Sequence, residues 1–326
     1  MAKKELQNKQ VKMLKLQGVF CVLLHLVCLV NSESLFAQTA LPGVAAGRIE
    51  RIENFTSRFT GSRCIDVWLP DGYSAKEKYA VLYMHDGQML FDSAITWNKQ
   101  AWNVDDSSTA LMKRMKGKKW IVVGVHNAGQ KRHSEYFPQQ VFYAMKKAAR
   151  DSISAQLTQA GRNKGEFKPI SDAYLKFLVK ELKPYIDKKY AVQRDAENTM
   201  IAGSSMGGLI SLYAVCQYPK VFGGAACLST HWPGSFDLKN NAFPNAMLDY
   251  LGKKLPPPGR NRFYFDCGDQ TLDSMYGPLQ DKVDQVFADK GYGKGQYESK
   301  RFAGENHSEQ AWSKRLGEVL GFLFGR

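Results

Sequence analysis

Cysteine is scarce in this chain, six residues in 326, and none of them falls into a CxxC pair or a Cys/His cluster, so no metal or cofactor motif is present. No segment repeats, and no Pro/Gly-rich internal linker marks a second domain boundary. Apolar runs are short: the stretch over residues 19–30 does not reach the roughly 20 residues that span a bilayer. Acidic residues are outnumbered, 31 against 45 Lys and Arg, giving a formal charge of +14. Neither a DNA-reading element nor an aromatic base-stacking platform accompanies that charge, which argues against a nucleic-acid partner. A basic surface attracts anionic partners at long range without identifying them.

What the chain does have begins with a leader. Lys3, Lys4, Lys9, Lys12 and Lys15 form a cationic head, the apolar stretch 19–30 follows, and Ala37 precedes polar sequence. Residues 1–37 are therefore predicted to be a signal peptide, leaving a secreted or periplasmic chain with no stable membrane insertion. Removing five lysines with Glu5 and Glu33 leaves +11. Cys28 has no small residue just before it, which argues against lipid attachment. Cys64, Cys216, Cys227 and Cys267 remain after cleavage. An oxidising compartment permits three pairings of four cysteines. Each lies in or beside an apolar stretch, which favours buried thiols in a core that needs no staples.

Residues 38–326 read as one α/β domain. The stretches "RIERIENFTSRF" and "RCIDVWLP" alternate around the short turn "GSR", as an antiparallel pair does. "YAVLYMHDG", "WIVVGVHN", "TMIAGSS", "GGAACLST" and "FYFDCG" are apolar runs suited to strands covered on both faces. Between them "ALMKRMKG", "SDAYLKFLVKELKPYI", "GLISLYAVCQY" and "GPLQDKVDQVFADKG" space apolar residues by three and four, as helices do. This alternation predicts a mostly parallel sheet wrapped by helices, with function at the carboxyl ends of the strands. A long, basic segment over 127–169 breaks the rhythm and reads as an insertion near the active site.

The chemistry centres on "MIAGSSMGGLISLYAV". Gly203 and Gly207 flank Ser205 two residues away on either side, whereas Ala202 and Met206 flank Ser204, so Ser205 fits G-x-S-x-G. A strand turning sharply into a helix holds such a serine at its apex, and bulky flanks would collide there. The hydroxyl needs a base. Of six histidines, His307 alone lies in a loop near the carboxyl terminus, in "FAGENHSEQAW", following the order serine, acid, histidine. "FYFDCGDQTLDSMY" offers Asp266, Asp269 and Asp273 as the acid. Asp266 sits within a strand, and Asp273, which starts the next helical segment, is favoured over Asp269. The backbone N–H of Met206, just after the nucleophile, is one oxyanion donor; a second is expected from Gln88, beside Gly87.

These residues resemble the esterase-D-like group of α/β-hydrolases, which includes feruloyl and acetyl-xylan esterases, enterochelin esterases and mycolyltransferases. "DVWLPDGY", "VLYMHDGQMLFD", "IAGSSMGGLISLYA" and "HSEQAW" carry the resemblance over nearly all of the mature chain. It implies an α/β-hydrolase fold with Ser205 as nucleophile, His307 as base and Gln88 as oxyanion donor. It also places "CLSTHWPG" beside the substrate, which makes His231 and Trp232 candidate pocket residues. The expected activity is hydrolysis of carboxylic esters, acyl or aromatic esters on carbohydrate, through an acyl-enzyme and without a cofactor. Two alternatives use the same scaffold: an acyltransferase, and a catalytically idle carbohydrate-binding protein. No oligomeric state follows from the sequence.

Overall fold

The computed structural model describes residues 40–325 apart from 116 and 240. The leader, with its expected cleavage at Ala37, lies outside the described residues. Residues 41–326 make one compact unit. Among the described residues no helix is long and apolar enough to cross a membrane.

Among the described residues, eight strands form one sheet in the order β1-β2-β4-β3-β5-β6-β7-β8. They are β1 (Arg48–Phe55), β2 (Arg63–Leu69), β3 (Ala80–His85), β4 (Trp120–Val125), β5 (Thr199–Ser204), β6 (Gly224–Leu228), β7 (Arg262–Cys267) and β8 (Tyr297–Arg301). β2 pairs antiparallel with β1 and β4, and every pair from β4 across to β8 is parallel. The predicted first pair is present. Its connection is longer than the expected turn, because β1 bulges after Ile52 and ends at Phe55.

The helices are α1 (Val104–Arg114), α2 (Arg132–Tyr136), α3 (Gln139–Ala144), α4 (Lys147–Gln159), α5 (Ser171–Phe177), α6 (Lys183–Lys189), α7 (Met206–Gln217), α8 (Phe243–Lys254), α9 (Gly277–Asp289) and α10 (Glu309–Phe324). A π-helical turn, Leu178–Leu182, joins α5 to α6. Successive side chains of a strand point to opposite faces, so each central strand feeds two cores. Val81 and Tyr83 join the larger one, while Ala80, Leu82 and Met84 join the smaller, covered by α1 and α10. Trp120 stacks on Phe324 there at 4.5 Å. Both faces are thus closed by helices, which is why the strands read as continuous apolar runs.

The 127–169 insertion is built into the larger core. Tyr136, Phe137, Val141, Phe142, Ile153 and Leu157 are all buried in it. Arg63 of β2 and Glu135 of α2 form a buried two-pronged ion pair at 2.7 and 3.0 Å, which fixes α2 against the sheet.

Chain order reverses at β3: β4 lies on one side of it and β5 on the other. Open α/β sheets bind ligands at such a switch point, outside the carboxyl ends of the strands. That crevice is where β5 delivers Ser205.

Candidate active site

Ser205 separates β5 from α7 with φ 57° and ψ −122°, a backbone conformation that L-residues avoid. It persists because its neighbours fix it. The Ser205 N–H donates to the Leu228 carbonyl at 2.9 Å, and its own carbonyl accepts from His231 N–H at 3.2 Å. The flanking glycines differ. A Cβ on Gly203 would come within 2.9 Å of the Gly207 backbone, so strand and helix could not pass. A Cβ on Gly207 would meet only ordinary contacts, Asp86 and His85 at 3.5 Å.

His307 and Asp273 come together. Nδ1 of His307 lies 2.6 Å from Oδ1 of Asp273. Asp273 sits in a 3₁₀ turn, Thr271–Met275, between β7 and α9. Its second oxygen, Oδ2, accepts from Ser229 Oγ at 2.6 Å and Gly268 N–H at 2.7 Å. Burial pulls this carboxyl toward the neutral form; the bonds from His307, Ser229 and Gly268 outweigh it and hold the group below the usual carboxylate range. Ser229 also accepts from Trp312 Nε1 at 2.9 Å and Arg315 Nη2 at 3.1 Å. Asp266 pairs with Arg315 through two bonds, at 2.7 and 3.0 Å. Asp269 accepts from Gly304 N–H at 2.9 Å and so ties down the loop that carries His307.

On the opposite wall, Gly87–Met89 forms a 3₁₀ turn straight after β3. The first N–H groups of such a turn, and of α7, have no partner within the helix. Gln88 and Met206 stand at these two ends, and both line the cleft. Gly87 presses on β4: a Cβ would sit 2.6 Å from the Gly124 backbone. Asp86, at φ 56°, orders the turn. Its carboxylate accepts two bonds from Arg132, at 2.6 and 2.7 Å, and one from Asn127 Nδ2 at 2.7 Å. Burial pushes the Asp86 carboxyl up, yet Arg132 and Asn127 bring it below its ordinary range. Asn127 N–H donates to Gln88 Oε1 at 3.2 Å.

One cleft of ≈ 640 Å³ contains Ser205, His307, Gln88 and Met206 in its lining. His231 lines it too, buried, with Nδ1 2.6 Å from Tyr276 Oη. Burial, reinforced by the nearby His307 and Arg132, pushes His231 down to about 3, so it is neutral near pH 7. Trp232 departs from the sequence expectation. Its indole donates to Gln280 at 2.9 Å and packs on Phe265, and it borders a small separate hollow rather than the cleft. The reason is the turn after β6, which sends consecutive side chains in opposite directions. Sequence reasoning missed Asp86, Asn127, Arg132, Ser229, Trp312 and Arg315; "HDG" and "KRH" carry charges near the right places, but no spacing links them.

Among the described residues, one group has donors arranged as a metal might require: Cys64, Asp66 and His126. Both Asp66 oxygens are already engaged, by Arg51 at 2.6 and 2.8 Å and by His126 at 2.8 Å. Burial and Asp66 push the Cys64 thiol up to about 12, whereas a metal binds the thiolate. The group is an ion-paired knot spanning β1, β2 and the end of β4. Cys64, Cys216, Cys227 and Cys267 are all free thiols.

The strand order, the covered faces and the serine turn define an α/β-hydrolase. A family model described as "Putative esterase" matches residues 56–322, and the chain belongs to that family. It is accordingly a carboxylic-ester hydrolase. The chain is 22% identical over 273 residues to the uncharacterized protein YbbA of Bacillus subtilis, covering 82% of this chain and 94% of that one. It is similar in fold to a CE1 ferulic acid esterase from Anaeromyces mucronatus, with TM-score 0.59 and 20% identity over 88% of this chain and 92% of the other. The enterobactin esterase FES of Shigella flexneri gives TM-score 0.58 and 16% identity, over 86% of this chain and 60% of its own.

Proposed function

We propose that residues 38–326 form the single catalytic domain of an exported serine esterase acting through Ser205, His307 and Asp273. The observation that carries this reading is the 2.6 Å contact between His307 Nδ1 and a buried, ionised Asp273, with Ser205 on the wall of the same cleft. An ionised carboxylate only accepts hydrogen bonds, so Nδ1 carries the imidazole proton and Nε2 is left basic. Nε2 removes the Ser205 proton as Oγ attacks the ester carbonyl. The oxygen that becomes negative is met by the N–H groups of Gln88 and Met206, the latter at the positive end of α7. His307 then returns the proton to the departing alcohol. In the second half His307 takes a proton from water, whose oxygen attacks the acyl-Ser205 carbonyl, and Ser205 leaves with that proton.

The proposed substrates are acyl or aromatic esters on carbohydrate. The fold likeness to a ferulic acid esterase supports this class by analogy, and export is supported by the cationic head and apolar stretch of residues 1–37. Ser205→Ala should abolish hydrolysis of p-nitrophenyl acetate and labelling by a fluorophosphonate. Retained turnover would reject the assignment. Mass measurement of the exported chain should place its first residue at Gln38.

A further inference from the structure

The cleft has two unlike ends. One is walled by the insertion and the loop after β6, with His133, His231 and Phe236 packed ring against ring at 5.4–6.5 Å. The other is walled by Trp97, Asn98 and Gln100 together with Ser308 and Glu309 at the start of α10. There Trp97 is 84% exposed. An indole so open to water gains almost nothing from burial in the fold.

The 97–103 segment is stitched to α10 directly after His307. Asn98 Nδ2 donates to Glu309 Oε2 at 2.8 Å, Gln310 N–H donates to Gln100 Oε1 at 3.2 Å, and Asn103 Nδ2 lies 3.2 Å from Ser313 Oγ. Trp102 packs on Trp312 at 5.3 Å, and Trp312 lies edge-on to His307 at 5.0 Å. The Trp97 wall therefore belongs to the histidine side of the cleft.

Chemistry gives that side its role. In acylation the proton passes from His307 to the oxygen of the departing alcohol, so the alcohol half of the ester must lie against the histidine wall. Its surroundings are a flat indole face, two amides and a carboxylate. A pyranose has the matching surface: one face of C–H groups that lies on a π-system, and a rim of hydroxyls that donate and accept. Asn98, Gln100 and Glu309 are held in place by the bonds between this segment and α10, and the polar atoms those bonds do not use, Gln100 Nε2 and Glu309 Oε1, would be desolvated without a partner by a hydrocarbon alcohol.

Resting on the esterase reading above, we infer that Trp97, with Asn98, Gln100 and Glu309, forms a sugar-binding subsite for the alcohol half of the ester. The acyl half then occupies the end walled by His133 and Phe236.

The test compares two esters of one acid, so that both pass through the same acyl-enzyme: a methyl pyranoside carrying a single acetyl group, its other hydroxyls free, and ethyl acetate, followed by acid release. For the unaltered chain, kcat/KM should favour the pyranoside. Trp97→Ala should lower kcat/KM on the pyranoside at least about tenfold more than on ethyl acetate, mainly through KM, and Trp97→Phe should restore most of that difference. Equal losses on both esters, no loss on either, or failure of the unaltered chain to cleave the pyranoside while it hydrolyses ethyl acetate would overturn the subsite alone. Absence of Ser205-dependent turnover of every ester would instead bring down the esterase reading, and the subsite with it.

Discussion

The two walls that face Ser205 are both organised by a buried carboxylate whose oxygens are all engaged, yet they are held in different ways. Asp273 is fixed by groups from the sheet's own loops and from α10: Ser229, Gly268 and, through Ser229, Trp312 and Arg315. Asp86 is fixed from the insertion, by Arg132 and Asn127. The first carboxylate touches the imidazole proposed to move the proton; the second shapes the turn that carries Gln88, the proposed oxyanion donor. On the proposed assignment, the proton-transfer half is thus anchored in the parallel sheet, and the oxyanion half depends on a segment added to it. Changes on the first wall should strike chemistry with the fold intact, while changes on the second should affect rate and stability together.

The largest effect expected from this contrast is that of Asp273→Asn. An amide offers N–H where the carboxylate accepted, which favours the wrong imidazole tautomer and removes the charge that stabilises the cation. A loss in kcat of about 10⁴-fold is expected by analogy with other triads, with little change in KM. Steady-state kinetics on p-nitrophenyl acetate beside a circular dichroism melt would check it. A loss below tenfold with an unchanged melt would mean that Asp273 is structural.

Arg132→Ala should do less to the rate and more to the fold. It strips the two-pronged partner from Asp86 and leaves a buried carboxylate with Asn127 alone, at a cost of up to about 3 kcal/mol. With the Gln88 turn loosened, kcat should fall about 10- to 100-fold, the scale of losing part of an oxyanion hole. Arg132→Lys should recover charge but not the fork, and so only part of either effect. If Arg132→Ala changed the melt but not kcat, the insertion would support the fold without shaping the oxyanion wall.

How much of this was legible in the sequence follows from the range of the interactions. Strand runs and the G-x-S-x-G turn are local patterns, and β3 to β7 and α7 appear where "YAVLYMHDG" through "FYFDCG" and "GLISLYAVCQY" lie. Chain order suffices to nominate His307. Asp273 against Asp269 stayed open because both follow β7 within one loop; which of them faces the histidine depends on a 3₁₀ turn and on Gly304 claiming Asp269. The partners of Asp86 and Ser229 were out of reach. Arg132 is 46 residues from Asp86 and Arg315 is 86 from Ser229, separations that no periodicity records. The helix α8 went unread too, since Pro244 and the loop before it mask its start.

The smallest expected effect tests whether the two walls share a feature despite their different anchors. Each holds a buried, neutral histidine tied through Nδ1 to a tyrosine hydroxyl: His85 to Tyr174 at 2.8 Å on the Asp86 wall, and His231 to Tyr276 at 2.6 Å on the Asp273 wall. Burial pushes both down to about 3, with neighbouring charge secondary. Unfolded, each titrates near 6.5, so between pH 6.5 and 3 the unfolded chain binds more protons than the folded one. Their contribution to stability is therefore full above about pH 6.5 and is lost progressively as pH falls toward 3. His231→Gln or His85→Gln should lower the urea midpoint at pH 7 yet shrink the drop between pH 7 and pH 5, with similar slopes for the two variants. If only one variant flattened the profile, the walls would differ in proton linkage as well as in what anchors them.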